Sequence, residues 1–151
     1  MKNKKTIGIA LWFSFFIYLG IVVYLVFFAE SLGRGGSWAQ TTDVSLNVNL
    51  VPFNEIKRFV SFLGDTTYGS MAMLNLAGNV VLFMPMGFLI PCVFRKSGFL
   101  QTVVLSCILS FVIECVQLYT KLGSFDVDDI ILNTIGAIIG FLLFVILRPL
   151  K

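Results

Sequence analysis

The chain has 151 residues, of which 58% are hydrophobic and only 13% are charged, and its mean hydropathy is +0.94. Soluble domains are nearer half apolar and a quarter charged, so this composition excludes an ordinary soluble protein. It indicates a multi-pass membrane protein small enough to be one domain, residues 1–151. The net charge is +3 and the chain has no histidine, which excludes the usual acid or base at neutral pH and the commonest metal ligand.

Four apolar segments are long enough to cross a bilayer, which takes about 20 residues of helix. They are residues 7–29, 71–94, 99–119 and 130–147. The first follows a basic start at Lys2, Lys4 and Lys5. It is longer than the roughly 7–15 apolar residues of a signal peptide, so we expect a retained anchor. The predicted fold is an all-α bundle of four transmembrane helices.

The long polar segment between the first two spans, residues 30–70, carries one helical pattern. Pro52 fixes its own φ and disfavours helix at Val51. After it, apolar residues recur at helical spacing, namely Phe53, Ile56, Phe59, Val60 and Leu63. This pattern predicts a short amphipathic helix in the extracellular loop, which either lies on the membrane surface or packs on the bundle.

Polar side chains recur inside the later spans at helical steps. They are Asn75 and Asn79; Ser106, Ser110, Glu114 and Gln117; and Asp129 and Asn133, where Asp129 ends an acidic run that also contains Asp126 and Asp128. Steps of three and four residues place each set on one helix face. A carboxylate within a membrane span is expensive, so it usually needs a partner or a role. Gly136 and Gly140, four residues apart, allow close approach of a neighbouring helix.

Lysine and arginine residues are unevenly distributed between the two sides of the predicted bundle. One side receives Lys2, Lys4, Lys5, Arg95, Lys96, Arg148 and Lys151, and the other receives Arg34, Lys57, Arg58 and Lys121. The positive-inside rule therefore predicts a multi-pass membrane protein with both termini in the cytoplasm. The same topology brings the polar residues of the later spans to the outer ends of their helices. Glu114 lies about 8 Å in from the end of its span.

We expect these groups to form one outward-facing polar site. Its candidate catalytic residues are Glu114, Asp126 and Asp129, and its candidate substrate-binding residues are Asn49, Asn75, Asn79, Gln117 and Asn133. Three chemistries fit: a carboxylate acid/base pair, a hard divalent cation held by oxygen ligands, or the sugar, amine or peptide head of an amphiphile. The residue pattern does not choose among them, and no metal or cofactor is assigned.

Most of these candidates also have a structural alternative. Asp126 can be a helix N-cap with Asp129 at position N3, where acidic groups favour the helix dipole. Asn75 and Asn79 can join neighbouring helices by hydrogen bonds. Glu114 can instead form an ion pair with one of three basic residues, Lys57, Arg58 or Lys121.

Four motifs together resemble the VanZ family of bacterial membrane proteins. They are NLVPF at residues 49–53, NVVLFMPMG at 79–87, ECVQ at 114–117 and DVDDIILNTIG at 126–136. The match covers roughly residues 49–140, and the order and spacing of the motifs are more specific than any one of them. Many members have an arginine just ahead of the phenylalanine–aspartate pair, where this chain has Gly123 and Ser124.

The resemblance implies a role at the cell envelope, because the namesake of the family is linked to resistance to lipophilic glycopeptide antibiotics, especially teicoplanin. The expected function is to lower susceptibility to such lipoglycopeptides. Expected partners are membrane lipids and a lipoglycopeptide, cell-wall precursor or lipid-linked glycan, with no nucleic acid and an open oligomeric state. One alternative is an enzyme that modifies a surface lipid, polyprenyl carrier or glycan head by carboxylate acid/base chemistry. The other is an assembly subunit without a ligand.

Overall fold

The computed structural model describes residues 2–28, 48–62, 64 and 69–148, and it is built almost entirely of helices. In chain order the elements are α1 (Lys2–Phe28), β1 (Val48–Asn49), α2 (Asn54–Phe62), α3 (Gly69–Val93), α4 (Phe99–Thr120), β2 (Phe125–Asp126) and α5 (Val127–Leu147). Four of the helices, α1, α3, α4 and α5, are long and apolar enough to cross a membrane. The predicted all-α fold with four membrane spans is therefore confirmed.

The fourth span begins earlier than the sequence pattern predicts. Helix α5 starts at Val127 rather than at residue 130, because Asp126 caps it: the Asp126 side chain accepts a hydrogen bond from the Asp128 backbone N–H at 2.8 Å. The acidic run is thus part of the helix entry, where a carboxylate satisfies a free backbone donor and favours the positive end of the helix dipole. The N-cap prediction for Asp126 is confirmed.

Helices α3 and α5 form the most extensive pairing in the bundle. They approach so closely that a β-carbon built on Gly136 would lie 2.1 Å from the Val80 carbonyl oxygen, and one built on Gly140 would lie 1.9 Å from that of Met84. Gly87 on α3 meets α5 in the same way. Small residues permit such backbone contact between membrane helices, so the predicted packing role of Gly136 and Gly140 is confirmed.

Helix α1 packs mainly on α3 and contributes to the apolar core. The buried core residues are Phe15, Tyr18 and Val22 from α1, Phe83, Met86 and Ile90 from α3, and Ile113 from α4. The Tyr18 hydroxyl donates a 2.8 Å hydrogen bond to the Leu82 carbonyl, so its polar end is satisfied inside the bundle. Helix α4 packs instead on α5, and α1 and α4 have few contacts with each other.

The loop between the first two spans contacts the segment just before the last span. Strands β1 and β2 pair in parallel, with Val48 opposite Phe125 and Asn49 opposite Asp126. Helix α2 follows and packs on α3. Ile56 is half-buried and Val60 is exposed, while Leu63 and the side chain of Phe59 lie outside the described residues. A helix is present where the pattern predicts one; its placement on a membrane surface stays a prediction.

Candidate functional site

A cavity of about 160 Å³ lies at one end of the bundle, where α1 and α4 end and α3 and α5 begin. Its wall combines polar and apolar side chains. The lining residues are Leu25, Val26, Asn75, Asn79, Leu82, Ile113, Glu114, Gln117, Leu122, Gly123, Ser124, Asp129 and Asn133. Six of the eight residues predicted for the site therefore reach one cavity: Asn75, Asn79, Glu114, Gln117, Asp129 and Asn133.

Two carboxylates on the cavity wall are each held by a hydrogen-bond donor from another element. Glu114 is 2% exposed, and its Oε2 accepts from the Asp126 backbone N–H at 2.9 Å. Asp129 accepts from Asn79 Nδ2, which joins α5 to α3. Donors of this kind fix the orientation of a buried carboxyl group. Both side chains are thus oriented on the wall of the cavity.

Asn133 has a buried amide oxygen that is unsatisfied. Its Nδ2 donates to Ser110 Oγ at 2.8 Å, which links α5 to α4. Its Oδ1 has no hydrogen-bond partner among the described residues, although the side chain is only 4% exposed and lines the cavity. Buried polar atoms in folded proteins are nearly always partnered, and each exception calls for an explanation. An acceptor is therefore available for a donor that enters this cavity.

The two remaining predicted residues lie behind the cavity wall. Asn49 Nδ2 donates to Asp126 Oδ1 at 2.9 Å, and Asp126 is itself buried. Burial raises the pKa of Asp126, while the hydrogen bonds from the Asp128 backbone and the Asn49 side chain oppose that rise. Neither residue lines the cavity. Their observed role is to fix the segment whose backbone N–H holds Glu114.

Asp128 is a structural anchor that the sequence pattern does not distinguish from its acidic neighbours. It is 1% exposed, and its two oxygens accept from the backbone N–H groups of Phe53, at 2.5 Å, and Ile56, at 3.0 Å. These donors lie at the start of α2, one just before the helix and one in its first turn, where helices leave N–H groups unpaired. Phe53 also has a positive φ of 65°. Asp128 therefore caps a helix that lies about 70 residues earlier in the sequence.

A family model described as VanZ/LLP1 matches residues 15–148. The chain belongs to the VanZ/LLP1 family. It is similar to Protein VanZ of Enterococcus faecium, with 29% identity over 107 residues, which is 71% of this chain and 65% of that protein. The chain thus spans about two thirds of the length of this curated relative. No solved structure matches it significantly.

The VanZ-like motifs converge in space at this end of the bundle. The 49–53 motif meets the 126–136 motif through the β1–β2 pairing and through the Asp128 hydrogen bonds. The 79–87 motif meets it through Asn79 and Asp129, and the 114–117 motif meets it through Glu114 and Asp126. Segments far apart in the sequence therefore meet at one end of the bundle.

The described wall of the cavity in this VanZ-family chain is acidic in composition. Its lining residues, all in the described part of the chain, include two carboxylates and no lysine or arginine. Glu114 forms no ion pair there; the one described salt bridge joins Arg58 to Glu55 at 2.5 Å. The alternative in which Glu114 pairs with Lys57, Arg58 or Lys121 is therefore wrong for the described structure. No group of three acidic or cysteine side chains within that part has metal-ligand geometry.

Proposed function

We propose that this VanZ-family membrane protein lowers the susceptibility of a bacterial cell to lipoglycopeptide antibiotics of the teicoplanin type. Membership of the family supports a role of this kind. The observation that supports a role for particular residues is the cavity. Six candidate polar residues line it, and the motifs that carry the resemblance meet at the same end of the bundle. A purely structural subunit does not require a polar cavity within its membrane-spanning helices.

The cavity opens, in this proposal, toward the outer face of the cell membrane. Arg95 and Lys96 connect α3 to α4 at the end of the bundle opposite the cavity, and Arg148 follows α5 at that same end. The positive-inside rule assigns that end to the cytoplasm. Both termini are then cytoplasmic, and the polar residues face the leaflet in which lipoglycopeptides and lipid-linked cell-wall precursors are encountered.

The size of the cavity limits what it binds. A cavity of about 160 Å³ is close to one of about 150 Å³ that accepts a benzene molecule. A whole glycopeptide is many times larger. The protein therefore acts, in this proposal, on one end group of an amphiphile: a lipid, a cell-wall precursor, a lipid-linked glycan or the antibiotic itself.

A second function is favoured by the pair of carboxylates. Glu114 and Asp129 lie on one cavity wall, held by different donors. Two carboxylates in different environments can take the separate roles of general acid and general base. A membrane enzyme that modifies the head of a surface lipid, polyprenyl carrier or glycan is therefore the alternative, with Asp126 as the residue that positions Glu114.

The test is drug susceptibility of a sensitive host that produces the protein. Wild type, Glu114→Gln and Asp129→Asn are compared with Glu55→Gln, a matched change at a carboxylate that does not line the cavity. We expect wild type and Glu55→Gln to raise the teicoplanin concentration needed for inhibition, and both cavity variants to lose that effect at unchanged membrane abundance. Full resistance with both cavity variants would refute a functional cavity.

Mass spectrometry of lipids and cell-wall precursors from the same strains separates the two functions. A modified lipid or glycan that appears with wild type and disappears with Glu114→Gln supports the enzyme. Resistance without any new product supports binding alone.

A further inference from the structure

The cavity wall contains carboxamide groups whose hydrogen-bonding capacity is not used within the described part of the chain. Asn75 of α3 and Gln117 of α4 line the cavity, and none of the described hydrogen bonds involves their side chains. Asn133 of α5 donates from Nδ2 to Ser110, whereas its Oδ1, on a buried side chain, has no partner there. Three helices thus each present a carboxamide to the same small space.

The mixture of donors and acceptors on these amides indicates what a ligand must offer. A carboxamide has one acceptor oxygen and two N–H donors, and the buried Asn133 oxygen requires a donor. An ammonium group only donates, and an anionic head offers acceptors, so each would leave part of the wall unsatisfied. A hydroxyl group both donates and accepts. Two adjacent hydroxyl groups can therefore serve both ends of one carboxamide.

The volume of the cavity limits the size of the head that carries these hydroxyl groups. It is about 160 Å³, and a cavity of about 150 Å³ accepts benzene, a molecule of about six heavy atoms. A glycerol head has the same number of heavy atoms, whereas a hexose ring is considerably larger. The size therefore favours a glycerol-like head over a whole sugar.

The apolar part of the wall indicates what the head is attached to. Leu25 and Val26 from α1 line the cavity together with Ile113 from α4. Helix α1 packs mainly on α3 while α4 packs on α5, so α1 and α4 flank the cavity with little contact between them. An alkyl chain attached to the bound head therefore has an apolar route between α1 and α4 into lipid.

We propose that the cavity binds the uncharged, glycerol-sized diol head of a membrane lipid, whose hydroxyl groups donate to Asn133 and exchange hydrogen bonds with the amides of Asn75 and Gln117. The tail leaves between α1 and α4. This inference deepens the proposed function by naming the head group of the amphiphile, and its biological meaning rests on that function. The shared chemistry, a vicinal diol, occurs both in lipids and in water-soluble glycerol.

The experiment measures thermal unfolding of the purified protein in phosphatidylcholine nanodiscs at pH 7. The probes are 1-O-dodecylglycerol and dodecyl propyl ether, which share a tail and a three-carbon head and differ in the two hydroxyl groups. A ligand that binds only the folded protein raises the unfolding midpoint with its concentration. We expect dodecylglycerol to do so with a dissociation constant about tenfold below that of the ether, the equivalent of one or two neutral hydrogen bonds. Equal effects of the two probes would overturn the proposal.

Two further probes with the same tail test the charge and the size of the head. n-Dodecylamine carries a cation that only donates hydrogen bonds, and n-dodecyl β-glucoside carries hydroxyl groups on a full sugar ring. We expect both to bind more weakly than dodecylglycerol. Equal or tighter binding of dodecylamine would indicate a cation site, and equal or tighter binding of the glucoside would indicate a sugar site. Either result would overturn the proposal.

Variants test whether the cavity amides are responsible. Gln117→Leu and Asn133→Leu remove an amide without altering the net charge, and each should weaken dodecylglycerol binding by about 3- to 10-fold. The matched control is Asn54→Leu, at an exposed amide that does not line the cavity, and it should leave binding unchanged. Each affinity is referred to the unliganded midpoint of the same variant. Equal affinities of all three variants would contradict the proposed site.

Free glycerol separates a membrane source from an aqueous one. It carries the same hydroxyl groups without a tail, and at the concentrations used for dodecylglycerol we expect no shift of the midpoint. An equal shift would mean that the ligand is a water-soluble polyol and that the lipid is wrong. These results are independent of drug susceptibility: a cavity that binds dodecylglycerol in a protein that gives no resistance refutes the proposed function, whereas resistance without dodecylglycerol binding refutes this inference alone.

Discussion

Replacing Asn133 by leucine should stabilise the protein. The two side chains have the same number of heavy atoms, so the substitution creates no large cavity. It removes one hydrogen bond, Asn133 Nδ2 to Ser110 Oγ, worth about 0.6 kcal/mol on average between membrane helices. It also removes the unpartnered Oδ1, whose burial costs about 1–3 kcal/mol. The expected net gain is about 1 kcal/mol.

Ser110 makes the matched comparison. In Asn133→Leu its hydroxyl can donate to a carbonyl of its own helix, so it keeps a partner. Ser110→Ala instead leaves both ends of the Asn133 amide without a partner and should destabilise the protein by about 1–3 kcal/mol. The double variant should have the same stability as Asn133→Leu, because the Ser110 hydroxyl no longer has a hydrogen-bond partner on α5 once Asn133 is replaced.

The assay is thermal unfolding of the purified protein in nanodiscs. A gain of 1 kcal/mol corresponds to a rise of about 2–4 °C in the unfolding midpoint of a chain of this size. A midpoint lowered by 3 °C or more would refute the reasoning, because it would mean that the Asn133 oxygen is already satisfied and contributes to stability.

Three further experiments test the scaffold and its orientation in the membrane. Gly136→Ala places a β-carbon 2.1 Å from the Val80 carbonyl oxygen, which should destabilise the protein by about 3 kcal/mol and lower its abundance in the membrane. The control Gly20→Ala has nothing within 4 Å of its β-carbon and should keep normal abundance. Equal abundance of the two variants would contradict the close α3–α5 contact. Asp128→Ala strips two backbone donors of α2 of their acceptor and should speed proteolysis between α1 and α3; unchanged cleavage would show that α2 is held otherwise. In a background without Cys92, Cys107 and Cys115, an impermeant thiol reagent on intact cells should label Lys121→Cys and spare Lys96→Cys, and the reverse pattern would invert the proposed orientation.

The membrane spans were predictable because each is a run of apolar residues, and such a run indicates a membrane helix whatever the rest of the chain contains. The meeting of polar residues at one end was predictable for a related reason. Alternate helices run in opposite directions, so Asn79 early in α3, Glu114 late in α4 and Asp129 early in α5 must share an end. Simple topology therefore locates the site without any knowledge of contacts.

Most partners within the site were not predictable in this way. The N-cap role of Asp126 follows from its position. Asp128 and Asp129, however, look equivalent in sequence, yet one caps α2 and the other binds Asn79. The choice depends on the rotation of α5 and on chain segments 50 or more residues away. The spacing of residues along the sequence does not determine that rotation. The β1–β2 pairing was missed for the same reason, since two residues per strand leave no periodic signal.

The link between Asn49 and Asp126 has a consequence for how the protein is made. The two residues are 77 positions apart, and ribosomes add about 5–20 residues per second. The segment that begins at β1 must therefore wait about 4–15 s after its synthesis before the residues that hold it exist. During that interval α1 and α3 can already enter the membrane, while β1 and the first turn of α2 have unpaired donors. If ribosomes are stalled before α5, a brief protease pulse should cleave this segment. After release of the full chain, the same pulse should leave the segment intact.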